Sequence, residues 1–307
     1  MNINKTTSMR DAFFGTLYEQ AKKDKDIVIV TGDMGAPSLD DFRKDFSDRF
    51  FNVGIAEQNM IAIASGLASE GKKVYTFAIA PFATSRCFEF TKLNAGLMML
   101  PIKVVGVGAG FSYDDSGPTH HTTEDISIMR TIPYLEIYSP ADSICAAKIA
   151  EKTIKSKLPS YMRLDRKVLP QIYSEEENFN EGFKEYISGK NVGILTTGNM
   201  VHTALEVSSM YDKEVGVIDL YRIKPVNPAL ADTLKKYKKI LTLEEHLLNG
   251  GLGSIVSEMI TDKDIPVKLT RMGLNDFIYA YGGRENIQKI CRIDVNSVKN
   301  EVTRLLL

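Results

Sequence analysis

Apolar residues along the chain fall into two alternating textures. Short, mainly apolar runs at residues 27–31, 50–53, 73–77, 102–107, 135–138 and 160–164 predict strands, and 27–31 has the form of a buried parallel strand. Mixed segments between them predict helices: 9–23, capped by Thr7 or Ser8; 40–46; 61–69, rich in small residues; 82–97; 122–130, capped by Thr122 or Thr123; and 140–155. Strands alternating with helices imply an α/β fold, a parallel sheet covered by helices.

The texture changes between residues 170 and 190. Glu175, Glu176, Glu177, Asn178, Asn180, Glu181 and Gly182 carry little apolar patterning and read as a linker. A second alternating pattern follows, with strands predicted at 192–196, 215–220, 240–244 and 267–269 and helices between and after them. Two α/β domains are therefore expected, residues 1–185 with the linker and a smaller one at 186–307. A length of 307 residues suits two domains.

Composition narrows the classes. Apolar residues make 44% of the chain and charged residues 25%, ordinary for a globular protein, and the formal net charge is -1. No basic excess is present to hold a nucleic-acid backbone or an anionic membrane. No apolar run nears the roughly 20 residues that span a bilayer, and the N-terminal stretch lacks the apolar core of a signal peptide. Cys87, Cys145 and Cys291 are far apart and odd in number, so free thiols in a reducing cytoplasm are expected. They form no metal-type pair, and no metal ligands are assigned to this chain.

The stretch Asn52-Val53-Gly54-Ile55-Ala56-Glu57-Gln58-Asn59 is the most informative. It runs from a short strand through a glycine turn into a helix. Glu57 is either a first-turn acid favoured by the helix dipole or a carboxylate directed into a cleft from a rigid, apolar frame. Asp114-Asp115-Ser116-Gly117-Pro118-Thr119-His120-His121 is a second candidate. Gly-Pro sets a tight turn, and two imidazoles leave it together, suited to an anionic or polyhydroxylated ligand or simply exposed. Gly106-Val107-Gly108-Ala109-Gly110 follows a strand, but no helix opens directly from it, which argues against a dinucleotide fold. Arg163 and Arg166 flank the end of the 160–164 strand, where guanidinium forks can meet phosphate or pair with Asp165. Glu244-Glu245-His246 with Gly250-Gly251-Leu252-Gly253 lacks the lysine and hydroxyl of a phosphate loop, which argues against phosphate binding there.

The Glu57 stretch resembles the glutamate motif of the pyrimidine-binding domain of the transketolase family, and Gly117-Pro118-Thr119-His120 resembles that family's substrate loop. The resemblance covers essentially the full chain, matched to the C-terminal half of a whole transketolase. It implies a pyrimidine-binding thiamine-diphosphate fold followed by the smaller C-terminal domain. It also implies transfer of a two-carbon ketol unit from a ketose to an aldehyde. Glu57 takes the catalytic position that bonds the cofactor's pyrimidine nitrogen, and His120 the catalytic histidine position. Phe82, or else Phe77, takes the ring packed on the aminopyrimidine, within a segment that reaches Arg86; Asp33 lies near the cofactor and subunit interface. Arg166, supported by Arg163, takes the sugar-phosphate contact, with His120, His121 and Ser116 in the substrate loop. Ser116 stands where the family usually has Asp, and Gly108 where transketolases proper carry His, so the usual sugars are in question.

The family's Gly-Asp-Gly diphosphate motif with downstream asparagines is missing; Gly32-Asp33-Met34-Gly35 does not match it. The resemblance therefore implies a split enzyme. A partner subunit with the diphosphate-binding domain would supply the Mg2+ and diphosphate contacts, and this chain would also pair with itself, as the core of a heterotetramer. The alternatives are the beta subunit of a 2-oxoacid dehydrogenase, a decarboxylating enzyme like deoxyxylulose-phosphate synthase, and a non-catalytic partner subunit.

Overall fold

The computed structural model describes residue 3 and residues 5–307. Its first sheet holds β1 (Ile27–Thr31), β2 (Phe50–Asn52), β3 (Lys73–Ile79), β4 (Lys103–Val107), β5 (Glu136–Tyr138) and β6 (Ser160–Leu164), all parallel where they pair. The second holds β7 (Lys184–Ile187), β8 (Val192–Thr196), β9 (Val215–Asp219), β11 (Lys239–Leu247) and β12 (Lys268–Leu274). Between β9 and β11, β10 (Arg222–Lys224) leaves the second sheet and pairs antiparallel with β5 at the edge of the first. The strand orders are β10-β5-β6-β4-β3-β1-β2 and β12-β11-β8-β9-β7.

Strand β1 shows why these runs are mainly apolar. Ile27 and Ile29 face a cluster with Phe13, Phe14 and Leu17 of the helix Met9–Ala21, while Val28 and Val30 face Met60, Ile61 and Ala64 of the helix Glu57–Ser69. Alternate side chains enter opposite cores, so both parities must be apolar. The second sheet repeats this: Ile194 joins the cluster of Val298 and Val302, and Leu195 that of Leu234 and Val256.

Three expectations change. The helix expected over residues 82–97 is broken into Ala80–Ala83, Phe88–Thr91 and a π-helical turn Lys92–Leu97; Thr84 leaves helical geometry, its hydroxyl bonding back to the Ala80 carbonyl at 2.7 Å. The helix expected from Thr122 begins at Asp125, because Thr122 is taken by a two-bond bridge to Gly110. The segment read as a linker is docked: Tyr173 and Phe179 are buried, the backbone N–H groups of Ile172 and Tyr173 donate to Asp142, and β7 closes the second sheet.

Candidate active site

Parallel pairing brings the carboxyl ends of four central strands to one edge. Thr31 pairs with Phe77, Ile79 with Val107, and Val107 with Leu164. The residues that follow, Asp33 after β1, Phe82 after β3, Gly108 after β4 and Arg166 after β6, therefore emerge along one rim, where ligands of open parallel sheets collect.

Glu57 is the first residue of its helix, reached through a turn at Gly54 (φ 75°). The buried positions of that helix are Glu57, Met60, Ile61, Ala64, Ser65 and Ala68, so the carboxylate heads the apolar stripe and is only 2% exposed. Arg86 reaches it from the break between the two short helices, Nη1 to Oε2 at 2.8 Å. The same guanidinium lies over the Phe82 ring, 3.9 Å from its centroid. Glu57 and Phe82 are thus joined through one cation.

From Phe82 a continuous surface of rings and cations crosses the rim. The His120 ring stands 5.2 Å from Phe82, edge to face, and 6.1 Å from Tyr113. Arg166 lies over the Tyr113 ring at 4.6 Å. Burial pushes the Tyr113 phenol upward from its ordinary pKa, so it is a neutral hydrogen-bond donor at physiological pH. Tyr113 carries no motif, and sequence reasoning misses it. The signal for it lies at Gly108, where φ is 105° and an ideal Cβ would stand 2.4 Å from the Tyr113 ring. The space left by the missing side chain at Gly108 is filled by Tyr113.

Other predicted site residues are placed differently. Phe77 is fully buried and packs edge to face on Phe14, 4.7 Å between centroids, so it belongs to the core on the helix Met9–Ala21 side. His121 turns inward against Phe111, and burial lowers its pKa, favouring the neutral ring. Arg163 does not reach the rim. Its Nε donates to Asp125 at 2.8 Å and its Nη2 to the carbonyls of Thr122 and Glu245, so it is a buried strut between the domains. Ser116 is exposed, donating to Asp115 at 2.9 Å. Asp33, in left-handed geometry, exchanges hydrogen bonds with Asn52 and is exposed.

The Arg166 guanidinium has Asp115 3.5 Å away, and Lys167 pairs with Asp114. Arg166 is 42% and Asp115 65% exposed at the side chain, so their pair is a weak one that a stronger anion can displace. Among the described residues, no group of three His, Cys, Asp or Glu side chains could hold a metal ion, and no helix is long and apolar enough to cross a membrane. The chain does offer a buried carboxylate and a flanking ring, the set that fits the edge and face of an aminopyrimidine.

The family model for the transketolase pyrimidine-binding domain matches residues 5–171, and that for the transketolase C-terminal domain residues 184–298. The chain is 32% identical over 302 residues to a putative transketolase C-terminal section of Methanocaldococcus jannaschii, covering 96% of this chain and 95% of that one. It is also 32% identical to an apulose-4-phosphate transketolase subunit of Phocaeicola vulgatus, covering 96% and 99%. A 6-deoxy-6-sulfo-D-fructose transketolase subunit of a Clostridium species is 34% identical, covering 87% and 85%. Against 1-deoxy-D-xylulose-5-phosphate synthase of Halothermothrix orenii the chain is 31% identical but spans only 47% of that protein. A solved structure titled as a split gene transketolase, inactive beta4 tetramer, superposes with a TM-score of 0.89 at 30% identity, covering 97% and 98%. With the glutamate, the rings and the arginines on one sheet edge, and matched relatives that include separate C-terminal subunits, the chain belongs to the transketolase family as the C-terminal-type subunit of a split transketolase.

Proposed function

We propose that this chain contributes the pyrimidine half of a thiamine diphosphate site and the substrate loop of an enzyme that transfers a two-carbon ketol unit from a phosphorylated ketose to an aldehyde. The observation that carries this reading is the line from Glu57 through Arg86 and Phe82 to His120, Tyr113 and Arg166, a buried carboxylate at one end and an anion-binding fork at the other. When bound, thiamine diphosphate supplies an electron sink for the carbon–carbon bond that breaks. Glu57 would hold the cofactor's pyrimidine edge and control its protonation from a water-poor wall. Phe82 would bound the face of the ring. His120 would bond the hydroxyl and carbonyl oxygens of the ketose, and Arg166 would grip its phosphate.

Two relatives support an anionic substrate: one is named for a sugar 4-phosphate, the other for a sulfonated sugar. A tetrahedral oxyanion at the far end of the sugar suits a guanidinium on the rim. The Mg2+ and diphosphate contacts would come from a partner subunit with the diphosphate-binding domain, in a heterotetramer of two copies of each chain. A structure of split-gene transketolase described as an inactive beta4 tetramer supports the need for that partner.

The test is calorimetry and a ketose–aldose assay on this chain alone and on the chain mixed with such a partner. Magnesium-dependent cofactor binding and ketol transfer are expected only for the pair. Phosphorylated, sulfonated and neutral ketoses compared on the pair identify the anion. Full binding and turnover by this chain alone would refute the half-site reading.

A further inference from the structure

No catalytic motif marks the C-terminal domain, yet its Arg284 is built into the floor of the rim. Arg284 opens the helix Arg284–Ile290 and is 9% exposed. Its Nη1 donates to Asp165 Oδ2 at 2.7 Å; its Nη2 donates to Glu245 Oε2 at 2.6 Å and to the Ala109 carbonyl at 3.5 Å. Its backbone N–H donates to Asp114 at 2.7 Å. Asp165 and Glu245 are each 2% exposed. One buried cation from the second domain therefore serves two buried carboxylates and two points of the substrate loop.

Each carboxylate passes the constraint onward. The other oxygen of Asp165 accepts the Lys167 N–H at 2.8 Å, closing a tight turn with Arg166 at its centre. Glu245 Oε2 accepts the Phe111 N–H at 2.9 Å, and Oε1 accepts from Gln288 at 2.7 Å. Gly110 is required beside it: φ is 57°, and an ideal Cβ there would stand 2.0 Å from Glu245 Oε2. The neck of the loop is closed at Gly110–Thr122, one residue before Phe111. Arg284 thus fixes the turn that carries Arg166 and the root of the loop that carries Tyr113 and His120.

We propose that Arg284, with Asp165 and Glu245, is a positioning residue through which the C-terminal domain sets the phosphate-recognising geometry of Arg166 and the Tyr113–His120 loop. This rests on the reading of Arg166 as the phosphate contact. A guanidinium fork is needed because two carboxylates must be held at once from one buried point. Lysine, a single charge centre, cannot reproduce the bidentate hold of Nε and Nη2 on Glu245 together with that of Nη1 on Asp165.

The experiment uses the reconstituted two-subunit enzyme, with a phosphorylated ketose and its unphosphorylated analogue as donors. Arg284→Gln, Arg284→Lys and Asp165→Asn are compared with Arg166→Ala. Asp165→Asn leaves one buried cation facing one buried anion, so it remains folded if Arg284→Gln does not. Expected is a rise of at least about tenfold in KM for the phosphorylated donor, within the roughly hundredfold that a 1 Å misplacement can cost. The unphosphorylated donor, which shares only the His120 contact, should lose distinctly less than the phosphorylated one, with thiamine diphosphate affinity kept. Amide hydrogen exchange should quicken at residues 109–116 and not in the helix Glu57–Ser69. Arg284→Lys should restore only part of the KM. If Arg166→Ala shows no donor selectivity, the phosphate reading fails, and exchange at 109–116 alone decides the positioning role. If Arg166→Ala is selective while Arg284→Gln and Asp165→Asn keep the wild-type preference, or lose both donors equally, the positioning role is overturned.

Discussion

Arg86 Nη1 lies 2.8 Å from Glu57 Oε2, an ion pair in which the guanidinium is 38% exposed and the carboxylate 2%. The partner of the carboxylate is thus a side chain able to swing outward, while the carboxylate is fixed by its helix. Glu57→Gln should keep the fold and lower turnover of the reconstituted enzyme at least about a hundredfold, the scale for a group that governs proton transfer. Arg86→Ala should destabilise the chain by about 1–3 kcal/mol, leaving a buried carboxylate without its donor. Adding Glu57→Gln to Arg86→Ala should recover part of that loss in chemical denaturation. Strict additivity of the two substitutions would show that the pair is not coupled.

Arg166→Ala should raise KM for phosphorylated donors and leave an unphosphorylated analogue nearly unchanged. Asp115→Asn should act in the opposite direction, because it removes the carboxylate 3.5 Å from Arg166. The pair is exposed, so a fall in KM of roughly two- to fivefold is the expected size. Steady-state kinetics at two salt concentrations check this, with the Asp115→Asn effect shrinking at high salt. An unchanged KM would mean that Asp115 does not compete with the phosphate.

Gly108→Ala should damage the site through two independent terms. Its φ of 105° is strained for any residue with a Cβ, and that Cβ meets the Tyr113 ring. Backbone strain costs about 1–3 kcal/mol, and the displaced ring moves away from Arg166 and His120. Loss of thermal stability together with a higher KM is expected. Tyr113→Ala in the same chain should relieve the collision but not the strain, so melting temperature should recover only in part. Full recovery would show that the φ at Gly108 costs nothing.

A buried acid remote from this site should shape the pH dependence of stability. Asp219 is completely buried, accepts the Tyr173 hydroxyl at 2.7 Å and has Asp142 nearby; burial raises its pKa to about 8 from 3.8. The folded state therefore holds a proton that the unfolded state releases between these values. Its contribution to stability is fully present below pH 3.8 and is lost as pH rises through about 8. A slope of at most roughly 1.4 kcal/mol per pH unit is expected from one proton. Asp219→Asn, which stays neutral, should flatten urea-denaturation stability between pH 5 and 8; a wild-type slope in that variant would remove Asp219 as the cause.

Much of this molecule can be read from its sequence because burial on two faces favours mainly apolar runs. That rule locates β1, and also β3, β4, β6, β8 and β9, each with one or two buried polar residues inside its run. The helix Glu57–Ser69 is legible for the same reason, its small and apolar residues marking one buried stripe with Glu57 at its head. Short edge strands such as β7 and β10 escape the rule, since their half-buried residues carry no such signature. The helix expected over 82–97 is instead broken at Thr84, where local hydrogen bonding competes with the helix, and the break carries Arg86, which pairs with Glu57.

The sequence by itself determined the two α/β patterns, the glutamate at a strand-to-helix junction and the arginine after the last parallel strand of the first domain, because each is written in local periodicity or adjacency. Only tertiary structure decided which neighbour in each pair faces the rim. Arg163 and Arg166, Phe77 and Phe82, His120 and His121 are alike in composition, but strand parity and turn direction send one of each inward. Tertiary structure also decided the roles of Tyr113 and Arg284, residues with no motif. Their significance lies in contacts that adjacency in sequence does not reveal, a ring filling the space over Gly108 and a cation joining Asp165 to Glu245.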